Sequence, residues 1–179
     1  MSHFNVCVLV KRNGANPDQM AQKASDMLAN FDINKEVEPY KHSLEEDHIQ
    51  RMAEYYGIDP ANLSALAEKL EDWNGDRGGV DVTGLYGTST KNPVGHTDYW
   101  TILAEIKPED RGRLLFGQGG EEKIVRAVVT PDGEWIDGPW VYGSPHAEQN
   151  KELEAWVMKL TALLDDHKDT VAFLADCHI

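Results

Sequence analysis

HFNVCVLV at residues 3–10 and VAFLADCHI at 171–179 decide how this chain is read. In the first stretch Phe4, Val6, Val8 and Val10 fall on one face by the two-residue period of a strand. His3, Asn5, Cys7 and Leu9 fall on the other. The second stretch is equally apolar. Neither can stand at an exposed sheet edge without inviting aggregation. The sequence therefore predicts that the two strands lie side by side in one sheet.

Working inward from the ends, Asn16 and Pro17 read as an N-cap and first helical residue. Met20, Ala24, Met27, Leu28 and Phe31 follow at helical spacing. Lys35–Tyr40 is extended, and Pro39 makes it an edge strand or no strand. Ser43 and Glu46 have capping-box spacing and open a second helix that carries Leu44, Ile49, Met52, Tyr55 and Tyr56 as far as Gly57. Asp59 and Pro60 open a third, with Leu63, Leu66, Ala67, Leu70 and Trp73 on one stripe and Gly75 at its end. Residues 74–96 hold six glycines and no periodicity, and read as a long Gly-rich loop, functional or mobile.

Beyond the loop the chain turns β. Tyr99–Ile106 reads as a strand and Arg113–Phe116 as a short one. Ile124–Thr130 and Glu134–Ile136 flank the turn Pro131-Asp132-Gly133, and Trp140–Tyr142 extends the meander. Ala147–Asp165 is a helix with Leu153, Trp156, Val157, Leu160, Leu163 and Leu164 inward. The fold class expected is α+β: one domain over 1–179, a mixed sheet with first and last strands central, and helices mainly on one face.

A chain of 179 residues hides roughly 70% of its unfolded surface, enough for a core without staples. No apolar run approaches the roughly eighteen residues of a membrane span. MSHFNVCVLVKRNG puts its basic pair after the apolar run, the reverse of a signal peptide, so a cytoplasmic address is expected. Cys7 and Cys177 make no disulfide framework and read as buried free thiols.

The net charge is −14. Residues 1–90 hold 8 basic and 15 acidic residues and the remainder 9 and 16, so the charge is spread and not held in a tail. No run of Lys or Arg can neutralise a phosphate backbone, which argues against nucleic acid as a ligand. The charge is a solubility device, or it steers encounter with a basic protein partner. Glu68, Glu71, Asp72, Tyr99 and Trp100 are the candidates for such a contact. No feature specifies an oligomeric state.

The chain lacks a nucleophile elbow, a phosphate-binding loop and a dinucleotide fingerprint, so no cofactor is implied. Gly117-Gln118-Gly119-Gly120 reads as a hairpin loop. If the terminal strands are neighbours, His3, Cys7, Asp176 and His178 converge, donor types that suit zinc or another transition metal. His3, Asp176 and His178 are then the catalytic candidates. The alternative has His178 hydrogen-bonded at a strand end and Asp176 capping a loop amide. His42, Glu45, Glu46 and His48 form a second group at a helix start, and His146, Glu148, Glu152 and Glu154 a third whose phase does not match it. Solvated helix faces explain both. Tyr99, Trp100, Trp135, Trp140 and Tyr142 make a stacking surface if their face is open, and core if it is covered.

MSHF at 1–4 with its strand, FDINKEVEPY at 31–40 and DCHI at 176–179 resemble a family of uncharacterised proteins of bacteriophages and prophage-bearing bacteria. Its members open on MSHF, carry an acidic segment ending in VEPY, and close on VDCHI. Their aromatic centre, with WDWY and GGRW, is matched in part: HTDYWTI at 96–102 keeps Tyr99, Trp100 and Ile102, and LAEIK at 103–107 stands where GGRW is found. The resemblance implies a shared fold and a phage or prophage origin, without a mechanism. The leading expectation is a small acidic accessory protein that binds a host or phage protein. The alternative is a metal-binding protein or metal-dependent enzyme built on the terminal-strand cluster.

Overall fold

The structure, a computed structural model, describes residues 3–114, 125–139 and 147–179, with only the backbone of 113–114 and 147–150 described. In chain order the elements are β1 (His3–Lys11), α1 (Pro17–Leu28), β2 (Glu36–Ser43), α2 (Glu46–Tyr56), α3 (Leu63–Ala67), α4 (Leu70–Asn74), β3 (Arg77–Asp81), β4 (Gly84–Lys91), β5 (Tyr99–Ile106), β6 (Ala127–Val129), β7 (Trp135–Asp137), α5 (Ala147–Asp166) and β8 (Thr170–His178). The chain divides into two compact units, residues 1–35 with 93–179, and 36–92. The expected loop at Gly117–Gly120, the meander extension Trp140–Tyr142, and His146 lie outside the described residues. Arg113 and Leu114 belong to a 3₁₀ turn, Pro108–Leu114, and not to a strand.

The first unit is built on a five-stranded mixed sheet in the order β5-β8-β1-β6-β7. β1 runs antiparallel to β8 over its whole length, from His3 opposite His178 to Lys11 opposite Thr170, and parallel to β6 on its other edge. The terminal strands are thus adjacent and interior, as their apolar character requires. Their two faces feed two cores. Phe4, Val6, Val8 and Val10 pack with Phe173 and Ala175 beneath Ala24 and Leu28 of α1. Cys7, Leu9 and Ala172 pack with Val128 beneath Trp156, Leu160 and Leu164 of α5.

One helix therefore covers each face, which corrects the expectation of helices mainly on one face. The reason is that β1 is apolar on both sides and needs two covers. Burying each of its Val and Leu side chains contributes roughly 1.5–3 kcal/mol. α1 begins where expected: Asn16 and Gln19 exchange capping-box hydrogen bonds at 2.9 and 3.1 Å, with Pro17 at the first helical position. The C-terminal end of α5 is held by the buried Arg111 guanidinium, which donates to the carbonyls of Leu164 at 3.3 Å and Thr170 at 2.6 Å.

The second unit is a three-stranded antiparallel sheet, β2-β4-β3, with α2, α3 and α4 packed on it through Met52, Ala53, Leu66, Leu70 and Leu85. The expected Gly-rich loop is a β-hairpin, β3 to β4, turning at Val82-Thr83. Asp81 Oδ1 accepts from the Thr83 amide at 2.8 Å and hydroxyl at 2.6 Å, and these bonds hold the Asp81 carboxyl below its ordinary range. Its glycines serve close approach. A Cβ on Gly78 would lie 2.3 Å from the Ala67 carbonyl, and one on Gly79 would lie 2.4 Å from the Tyr86 hydroxyl.

β2 is an edge strand with an irregularity between Glu36 and Tyr40, where Pro39 lies. Ser43 ends that strand and caps nothing; α2 starts from Glu45 without a side-chain cap. The expected third helix is two short ones, α3 capped by Asn62 and α4 ending at Gly75.

Candidate functional site

The first unit carries a polar field where β1, β8 and β5 end together. The register sets His3, His178 and Tyr99 in one cross-strand row, and Asn5, Asp176 and Thr101 in the next. By the strand period Phe4, Cys177 and Trp100 form the row between them on the opposite face. His3 Nδ1 lies 3.0 Å from Asp176 Oδ2. The His3 and His178 rings are tilted at 5.3 Å, and Tyr99 lies 5.1 Å from His178. On its other side His178 Nδ1 is 2.6 Å from Asp98 Oδ1, off the direction of a ring N–H hydrogen bond. The His178 carbonyl accepts from the Thr97 hydroxyl at 2.9 Å and the Asp98 amide at 3.0 Å, which pins the strand end.

Two imidazoles thus face each other, each against its own carboxylate, an arrangement able to move protons or hold a polar ligand. Three of the four metal candidates, His3, Asp176 and His178, are together. Cys7 shares their face but lies under α5, fully buried, its thiol pushed up to about 12 by burial. Cys177 is buried on the α1 face, and burial pushes its thiol to about 12 as well. Among the described residues no group of three or more His, Cys, Asp and Glu side chains is placed to share a metal ion. Asp98 escaped the sequence reading because it precedes its strand; only the pairing of β5 with β8 brings it beside His178.

The partner candidates separate. Tyr99 is exposed. Trp100 is half-buried: it packs against the α1 core, and its indole N–H donates to Ser25 Oγ at 2.9 Å. The odd–even phase of β5 sends these neighbours to opposite faces. Glu68, Glu71 and Asp72 are exposed on and beside α3 and α4.

With those three acids goes an aromatic cluster that the sequence showed only as two apolar stripes. Tyr55 and Tyr56 of α2 meet Trp73 of α4 edge-on, with ring centroids 5.5 and 6.1 Å from the indole and 4.9 Å from each other. Tyr55 is 73% exposed although it belongs to this cluster. The Tyr56 hydroxyl is raised above its ordinary value by desolvation, then by the Asp72 charge and by Tyr55. Lys69 Nζ stands 5.8 Å from the Tyr56 ring, so a cation already faces it. Between Glu45 and Asp76 the sequence holds nine acidic residues and two basic ones, Arg51 and Lys69.

Comparison with protein-family models, with curated proteins and with solved structures finds no match to this chain.

Proposed function

We propose that this protein is a small acidic accessory protein of a phage or prophage that acts by binding a basic segment of a host or phage protein. The contact surface is the outer side of α2, α3 and α4. The observation that carries this reading is the exposed Tyr55 ring, packed against Tyr56 and Trp73, with the Asp72 charge acting on Tyr56 and with Glu68 and Glu71 exposed in the same α3–α4 stretch. Exposed aromatics contribute contact area and cation–π attraction, and carboxylates steer a cationic chain toward them. The phage origin is supported by the resemblance of the terminal strings.

The test is binding of a basic peptide to the full chain at low and physiological salt. Affinity falls as salt rises, because the Debye length shrinks to about 8 Å. Changing Glu68, Glu71 and Asp72 together to Lys slows association, and a salt-independent complex rejects the steering.

A second reading rests on the paired imidazoles. In it His3, Asp176 and His178, with Asp98, carry out proton transfer. The histidine ring resonances followed through a pH titration test it: a His3 signal unchanged by Asp176→Asn rejects the coupling.

A further inference from the structure

The second unit contains a cleft of about 280 Å³ between the end of β2 and the last turn of α4, lined by His42, Glu45, His48, Trp73 and Asn74 among others. That volume lies below the roughly 300–1,000 Å³ usual for small-molecule and cofactor sites, and suits a single side chain. Its floor is organised. His42 Nε2 donates to Asp76 Oδ2 at 2.8 Å, and Asp76 is buried. Asn74 Nδ2 donates to the same oxygen at 3.0 Å, and the Asp76 amide returns a bond to Asn74 Oδ1. Opposite His42 in the sheet stands Gly87, where a Cβ would lie 2.6 Å from His42 Nε2. The glycine is what lets the ring lie across the strand and reach the carboxylate. Lys91 Nζ donates to the Asn74 carbonyl at 2.7 Å, so that cation is already engaged.

We propose that this cleft is the anchor for one arginine side chain of the basic partner. The inference rests on the reading of the α2–α4 surface as a partner-binding face. Trp73 joins the two, since it belongs to the aromatic cluster and lines the cleft. Its indole offers a planar wall on which a guanidinium stacks. Glu45 supplies an exposed carboxylate for a two-pronged hydrogen bond. An ammonium has the charge but lacks the plane and the fork, so lysine fits less well.

The experiment compares two peptides of equal length and charge, one alternating Gly and Arg and one alternating Gly and Lys, titrated into the full chain at low salt. The Arg peptide binds about tenfold more tightly, a difference of about 1.4 kcal/mol. Glu45→Gln lowers the Arg affinity toward that of Lys and changes the Lys affinity less than about twofold, as expected when only the fork is lost. Gly87→Ala, which drives His42 off Asp76, also narrows the preference. Equal binding of both peptides overturns the anchor and leaves the acidic face standing. A preference that survives Glu45→Gln and Gly87→Ala also overturns the anchor. Failure of both peptides to bind at low salt overturns the anchor together with the partner-binding reading.

Discussion

β1 and β4 are the middle strands of their respective sheets and are built from opposite materials. β1 fills its two faces with Val, Leu, Phe and Cys, and large side chains hold α1 and α5 away from the backbone. β4 presents Leu85, Gly87 and Ser89 to its covered face. At Gly87 and at the neighbouring Gly78, a ring or a helix comes down onto the strand itself. A strand can be interior because it carries apolar volume or because it carries none where a neighbour must enter. Strands filled with apolar volume show hydrophobic alternation, whereas strands emptied by glycine have the composition of a loop.

The largest effects test the two-sided core of the first unit. Leu28→Ala and Leu160→Ala each remove a fully buried side chain, on opposite faces of the sheet. Each lowers unfolding stability by about 2–5 kcal/mol. Having no shared partner, they add within about 0.5 kcal/mol in denaturant titration. Strong coupling between them breaks the picture of two separate cores.

The next effect ranks the two glycines of the second unit. Gly78→Ala meets backbone, the Ala67 carbonyl and Cα at 2.3 and 2.9 Å, which cannot give way without moving α3. Gly87→Ala meets the His42 ring, which can swing aside and leave the buried Asp76 short of a donor. Both destabilise, by about 1–3 kcal/mol, with Gly78→Ala the more costly. The reverse order in thermal unfolding contradicts the proposed division between helix packing and ring packing.

The two buried thiols give a pH test confined to the first unit, because residues 36–92 contain no cysteine. Both thiols titrate near 12 when folded against an ordinary 9.0. Their folded value is raised, so their contribution is fully present below pH 9. It is lost above pH 9, as the unfolded chain gives up protons that the folded one keeps. The loss is at most about 1.4 kcal/mol per pH unit for each group. Iodoacetamide at pH 8.5 alkylates neither thiol until the protein is unfolded; rapid native-state alkylation contradicts the burial.

The smallest effect is at the polar field. Asp176→Asn removes the partly exposed contact with His3, and the expected change is about 0.2–1 kcal/mol. A much larger loss indicates that the His3–Asp176–His178–Asp98 group acts as one cooperative network.

Much of the first unit was legible because its signals are local and apolar. The alternation of β1, the Asn16–Pro17 start of α1, the turn at Pro131-Asp132-Gly133 and the stripe of α5 all name elements without reference to neighbours. The adjacency of His3, Asp176 and His178 followed from pairing the two ends. The second unit was legible in its helical stripes but not in β3 and β4, since Gly78, Gly79 and Gly87 carry no pattern until the atoms that occupy their empty space are known. The His42–Asp76 pair was hidden for the same reason. Its members are 34 positions apart, and what joins them is the absence of a side chain at Gly87.

By itself the sequence determined the α+β class, the pairing of first and last strands and the acidity of the whole surface, because burial of apolar residues and charge count depend little on where else the chain goes. Tertiary structure decided three further things. It divided the helices between the two faces of the sheet, and it sent Tyr99 outward and Trp100 inward. It also assembled Trp73, Glu45 and His42 around one cleft. Each depends on which distant atoms fill a given volume, and close packing settles that only when the whole chain is in place.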